Sequence, residues 1–172
     1  LNSQTASDEF KGISGTNFTV ASAQYKVFGR SNIAAIFVNK QTLNPEISDK
    51  LSTYNRVGGL EYNFASKDSR WIGKTFYHQA FTEDKKKDAF AHGVSITYSV
   101  LKYTIKWQHD WVGSGYDAEV GFVPRKDFFH INPTVGLSFN PRSKYVNRYS
   151  VGVAYDQYIT PNIGTTDRIV GP

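Results

Sequence analysis

With 172 residues, the chain is long enough to form one domain with a core of its own. Charged residues make up 20% of it and the net charge is +5, too small and too dispersed to mark a nucleic-acid surface. The absence of cysteine excludes a disulfide scaffold and thiol chemistry, and no run of about 18 apolar residues supplies a transmembrane helix.

Residues 1–16 are polar, rich in Gly, Ser and Thr and without periodicity, and they read as loop or linker. A first strand is predicted over Asn17 to Phe28, where Thr19, Ala21, Ala23, Tyr25 and Val27 alternate with Ser22, Gln24 and Lys26. Gly29 to Asn32 is a tight turn. Ile33 to Lys40 is a second strand, apolar on both faces and so without a readable phase. Gln41 to Tyr54, with Asn44-Pro45, is a long loop. Asn55 to Phe64 follows, with Leu60, Tyr62 and Phe64 opposed to Glu61 and Asn63. After the Ser66 to Ser69 turn, Trp71 to Phe81 places Trp71, Thr75, Tyr77 and Phe81 away from Lys74 and His78. The charged stretch 82–88 is loop, its three lysines Lys85, Lys86 and Lys87 a solvated tip.

Phe90 to Tyr98 and Lys102 to Val112 form a predicted hairpin. In its second strand Tyr103, Ile105, Trp107 and Trp111 oppose Thr104, Lys106, Gln108 and Asp110. Like-facing residues must lie across from each other. An even-length loop therefore pairs Tyr98 with Tyr103, Ile96 with Ile105, Val94 with Trp107, His92 with His109 and Phe90 with Trp111. Residues 113–127 read as loop, and a short strand at Ala118 to Val123 is set aside. Phe129, Ile131, Val135, Leu137 and Phe139 then alternate with His130, Asn132, Thr134 and Ser138, and a bulge is expected at Pro133. After the turn at Asn140 to Lys144, Tyr149, Val151, Val153 and Tyr155 oppose Arg148, Ser150, Gly152, Ala154 and Asp156. Residues 159–172 read as loop.

The expected fold is all-β, an antiparallel up-and-down transmembrane β-barrel with about eight strands over 17–158. Apolar-out, polar-in strands with aromatic ends belong to outer-membrane barrels. Phe90, Tyr98, Tyr103 and Trp111 are the expected membrane-interface aromatics. The long connections 41–54, 82–88 and 113–127 all fall on one side, the extracellular side for such a barrel, and the same phase puts both chain ends there. With no Met and no signal peptide, the chain is expected to be a stretch of a larger barrel whose two edges await neighbouring strands.

Several stretches carry a resemblance: Phe28 to Ile33, Ser66 to Lys74, Asp88 to Gly93, and above all Tyr116 to Asp127 with Ile131-Asn132-Pro133. From about Asn17 to Pro172 the chain resembles the C-terminal region of Bacteroidota carbohydrate-binding family nine domain-containing proteins. In that family a periplasmic sugar-binding-like module precedes a large outer-membrane barrel of unknown function. The resemblance implies location and architecture. It transfers no sugar-binding, catalytic or ligand residue, since the N-terminal module has no counterpart here.

The inward set is Lys26, Glu61, Lys74, His78, Lys106, Asp110, His130, Arg148 and Asp156, the candidates for lining the lumen. Both signs are present, so they suit a salt-bridge network filling the barrel or the wall of a hydrated channel. Pro124, Arg125 and Lys126, in a loop with a rigid proline and two cations, are candidates for a constriction folded into the lumen. His92 and His109 read as an interfacial pair, and no spacing supports a metal site or an acyl-transfer triad. The expected function is that of an outer-membrane channel, transporter or export protein without enzymatic activity or cofactor. Its partners are the lipid bilayer and other outer-membrane or periplasmic subunits, with no nucleic acid. The alternative is a soluble β-barrel or sandwich binding a ligand of carbohydrate type, with the aromatic faces as its core.

Overall fold

The computed structural model describes residues 1–47, 53–121, 123–142, 144–161 and 163–171. Period-2 patterning gives extended backbone almost throughout. The strands are β1 (Asn2–Gln4), β2 (Thr16–Val27), β3 (Ser31–Thr42), β4 (Tyr54–Ala65), β5 (Trp71–Thr82) and β6 (Phe90–Ser99). They continue with β7 (Tyr103–Val112), β8 (Phe128–Ile131), β9 (Thr134–Phe139), β10 (Tyr149–Thr160) and β11 (Gly164–Gly171). Helix is confined to single 3-10 turns at Glu9–Lys11 and Pro45–Ile47. All eleven strands belong to one antiparallel sheet, an all-β meander in which sequence neighbours pair. β8 and β9 lie end to end between β7 and β10. Among the described residues no ladder joins β1 or β2 to β11.

The eight predicted strands are all present, and residues 113–127 contain no strand among the described residues. Four expectations are corrected. Residues 1–16 hold β1, bonded to β2 from Asn2 to Gln4, and 159–172 hold all of β11, paired with β10. Both terminal strands run back along the sheet, so Leu1 lies beside Val20 and Gly171 opposite Ala154 rather than at the long-loop rim. The β6–β7 hairpin is shifted by two from the predicted register: Val100 donates to the Tyr103 carbonyl across a tight turn, and Tyr98 faces Ile105 while His92 faces Trp111. Faces survive a shift of two because the side-chain period is two. Pro133 makes no bulge. Register is unchanged on either side of it, from Ile131 opposite Gln157 to Thr134 opposite Ala154. Tyr155 still donates to the Pro133 carbonyl, so the proline removes one ladder bond without an extra residue.

Lys26, Asn32, Asn63, Lys74, Ser95 and Gln108 lie directly opposite one another across β2 to β7. From that row the short-turn ends of the strands drop steadily: Val27 is one residue beyond Lys26, Trp71 three beyond Lys74 and Tyr103 five beyond Gln108. The long-loop ends step the same way, since Thr42 is ten residues beyond Asn32, Thr82 eight beyond Lys74 and Val112 four beyond Gln108. The two rims step together, so successive strands are staggered along the sheet in one sense.

The inner face is defined here as the one on which residues 113–127 pack. Its small core joins Val57, Ala80, Ala89 and Ala91 to Tyr116 of that segment, with Val38, Phe76 and Val112 from the sheet and Ala118 and Val123 from the segment packed against it. This settles the phase of β3: Ile36 and Val38 face inward under the segment, whereas Ile33 and Phe37 face outward. Phe18, Phe76, Phe128 and Tyr158 also lie on the inner face, whereas the outer face carries most of the aromatic and aliphatic residues of β4 to β10. Among the described strand residues its charges are Arg56 near the long-loop rim and Arg168 on the edge strand.

Candidate functional site

The inward segment begins where Val112 leaves the sheet. Gly113 and Gly115 are required there. A Cβ on Gly113 would lie 1.9 Å from the Asp88 carbonyl oxygen, and one on Gly115 2.0 Å from that of Lys87. Only glycine lets the segment pass this close to the neighbouring 83–89 loop. Tyr116, 7% exposed, then packs into the inner-face core.

Asn55 on β4 holds the next turn. It is 1% exposed, its Nδ2 donates to the Asp117 carbonyl at 2.9 Å, and its Oδ1 accepts from the Glu119 N–H at 3.3 Å. Lys86 and Lys126 hold the Asp117 carboxylate from two sides, at 3.1 and 3.0 Å. Lys40 on β3 pairs with Glu119. At the far end Arg125 donates to Asp167 at 3.1 Å and to Thr166 at 2.9 Å, with its guanidinium 4.9 Å from the Tyr158 ring centre. The segment is therefore bonded to β3 and β4 at one end and to β11 at the other. A cleft of 480 Å³ remains between it and the wall, lined by Phe76, Ala91, Val112, Tyr116, Pro124 and Tyr158 among others.

Burial opposes the charge of Asp117, but the hydrogen bonds from Lys126 and Lys86 outweigh it and hold the carboxyl below its usual range. The Asp117 hydrogen bond and charge raise Lys86 above its own. A lowered carboxyl contributes stability above its unfolded value, about 4, and loses it as pH falls through the folded value. A raised ammonium contributes below about 10.4 and loses it as pH rises through the folded value. Protection of the 113–127 amides from hydrogen exchange is thus expected to stay level between about pH 5 and 10 and to fall on the acid side first. Protection that declines steadily from pH 8 to 5 would contradict this.

The predicted lumen-facing residues share the inner face. They fall into two linked groups and several separate cations. Glu61 meets Lys74 at 2.8 Å and His78 at 3.6 Å on β4 and β5. His130, 9% exposed, stands between Asp156 at 3.0 Å and Asp110 at 3.6 Å and stacks on Tyr158; Asn132 also donates to Asp156 at 2.7 Å. Lys26 and Lys106 lie nearer the short turns, and Arg148, just before β10, donates to Ser138 at 2.7 Å. Of the constriction candidates, Arg125 and Lys126 anchor the segment and Pro124 lines the cleft. Phe122, from the same motif, lies outside the described residues.

On the outer face, Phe90 and Trp111 meet edge to face at 5.3 Å, and Tyr98 and Tyr103 meet at 5.8 Å. His92 and His109 are diagonal neighbours, 5.6 Å apart, rather than the directly opposed pair predicted; Trp107 Nε1 donates to His109 Nδ1. Sequence reading missed Asn55, Tyr116, Asp117 and Glu119, whose contacts join distant parts of the chain. The one local signal was the Gly113-Ser114-Gly115 spacing. Comparison with protein-family models, curated proteins and solved structures finds no match.

Proposed function

We propose that the chain forms the wall of an outer-membrane β-barrel, serving as a channel, transporter or export protein, with residues 113–127 as its constriction. The observation that carries this reading is the outer face. Its aromatic residues follow both staggered rims: Trp71, Tyr98, Tyr103, Phe139 and Tyr149 near the short turns, and Tyr54, Phe81, Phe90, Trp111 and Phe129 near the long loops. From Trp71 to Phe81 the strand rises about 33 Å; at a tilt of about 40° that is about 25 Å, the height of the apolar band of an outer-membrane barrel. Between the two rows lie Leu60, Val94, Ile96, Ile105, Val135 and Val153, with no carboxylate on that face among the described strand residues.

A soluble sandwich would bury this face. Ile105 and Trp107 are 47% and 46% exposed, and among the described residues no second sheet covers them. The resemblance of Tyr116 to Asp127 to the Bacteroidota barrel region agrees with the membrane reading, and the inward position of that stretch supports a role in narrowing the path. The full-length protein is expected to need detergent and to shift its gel migration on heating; free solubility without such a shift would remove the membrane reading. Deleting residues 121–127 is expected to raise conductance in planar bilayers, and unchanged conductance would remove the constriction.

A further inference from the structure

Charge is segregated along the inner face. Four cations border its short-turn rim: Lys26 is one residue inside Val27, Lys74 three inside Trp71, Lys106 three inside Tyr103, and Arg148 directly precedes Tyr149. Because the rim is staggered, these positions on β2, β5 and β7 and just before β10 follow it as a collar. Between them the inner face offers amides and hydroxyls, including Asn32, Asn63, Thr97, Thr104, Ser138 and Ser150. Among the described residues no inner-face carboxylate lies within three positions of a turn-side strand end.

Lys74 reaches back to Glu61, deeper in the sheet. Lys26 and Lys106 have no ion pair or side-chain hydrogen bond among the described residues. The turns add Lys67, Lys102, Arg142 and Lys144, against one carboxylate, Asp68, which pairs with Arg70 at 3.3 Å. The other described carboxylates apart from Glu61 lie toward the long loops, where lysines and Arg125 pair with several of them and His130 bonds Asp156.

We infer that the short-turn mouth of the inner face is an anion-binding collar, suited to a small solute bearing several phosphate or carboxylate oxygens. Cations spaced around a polar rim raise the local concentration of such a solute, and hydroxyl and amide donors between them replace its water. Lys26, Lys74 and Lys106 project on the face opposite the aromatic rows, which favours a dissolved anion over a lipid headgroup. The path role of such a collar rests on the channel reading above, whereas the binding itself does not.

The test titrates full-length protein in neutral detergent with inorganic tripolyphosphate at low ionic strength. Lys26→Glu with Lys106→Glu is expected to weaken binding at least tenfold, while Lys26→Arg with Lys106→Arg keeps it within threefold. Lys67→Glu with Lys102→Glu, on the turns, is expected to change it less than threefold. Heat-modifiable migration reports that each variant folds. No binding by the parent, or equal loss from the inner and turn pairs, overturns the collar. So does binding to phosphatidylglycerol vesicles that depends on the turn pair while tripolyphosphate binding ignores the inner pair. A parent that binds tripolyphosphate but passes no current loses the channel reading and keeps the collar. One that conducts with cation preference and binds no tripolyphosphate loses the collar alone.

Discussion

Arginine in place of Ile105 or Trp107 is expected to cost about 2–4 kcal/mol of folding stability in a bilayer, while arginine in place of Thr104 or Gln108 costs little. The four positions are sequence neighbours on β7 and differ in the face they occupy. Ile105 and Trp107 lie on the outer face between Tyr103 and Trp111, where a guanidinium on the lipid side has neither water nor a counter-charge. Thr104 and Gln108 point toward Lys106, Asp110 and the polar row, where a cation stays hydrated. Urea unfolding of the four variants in liposomes measures the difference. Equal losses at both pairs would mean that the two faces see the same medium, and the membrane assignment would fall.

Asn55→Leu should release the inward segment while leaving the sheet intact. Its amide satisfies the Asp117 carbonyl and the Glu119 N–H, neither of which leucine can bond. A buried group left unpaired costs about 1–3 kcal/mol, so the attachment is expected to weaken by about 2–5 kcal/mol. Trypsin reaches Arg125 and Lys126 once the segment lifts. Cleavage there should accelerate more than tenfold, with far-ultraviolet circular dichroism unchanged. Cleavage at the parental rate would show that the ion pairs of Lys40, Lys86 and Arg125 hold the segment unaided.

The strands were legible because most residues obey a single alternation that burial on either side does not disturb. Where a second layer intrudes, the alternation blurs. Ile33 to Val38 is apolar on both sides because its outer half faces away from the polar interior and its inner half lies under Tyr116 and Ala118. The edge strand β11 escaped notice because Thr165, Thr166, Asp167 and Arg168 are polar on both faces: it has a neighbour on one side only, and Asp167 serves the segment through Arg125. The hairpin register erred by two because aromatic pairs also meet diagonally, as Tyr98 and Tyr103 do, so pairing preferences cannot tell direct from diagonal neighbours. The inward path of 113–127 was suggested by Pro124, Arg125 and Lys126. Its anchors were not, since nothing local links Asn55 to Asp117 or Lys40 to Glu119.

The meander has a kinetic consequence. Nearly every ladder joins strands adjacent in the chain, closing loops that range from the three residues between β6 and β7 to the fifteen between β7 and β8, so loop-closure entropy enters in modest steps. Hairpins such as β2–β3 and β6–β7 can form early and add to one another in either direction. The 113–127 segment cannot, because its bonds require β3, β4, the 83–89 loop and β11 to be in place together. It is the part of the molecule whose ordering waits for the rest, so its protection from exchange should appear in a slower phase than that of the strand amides.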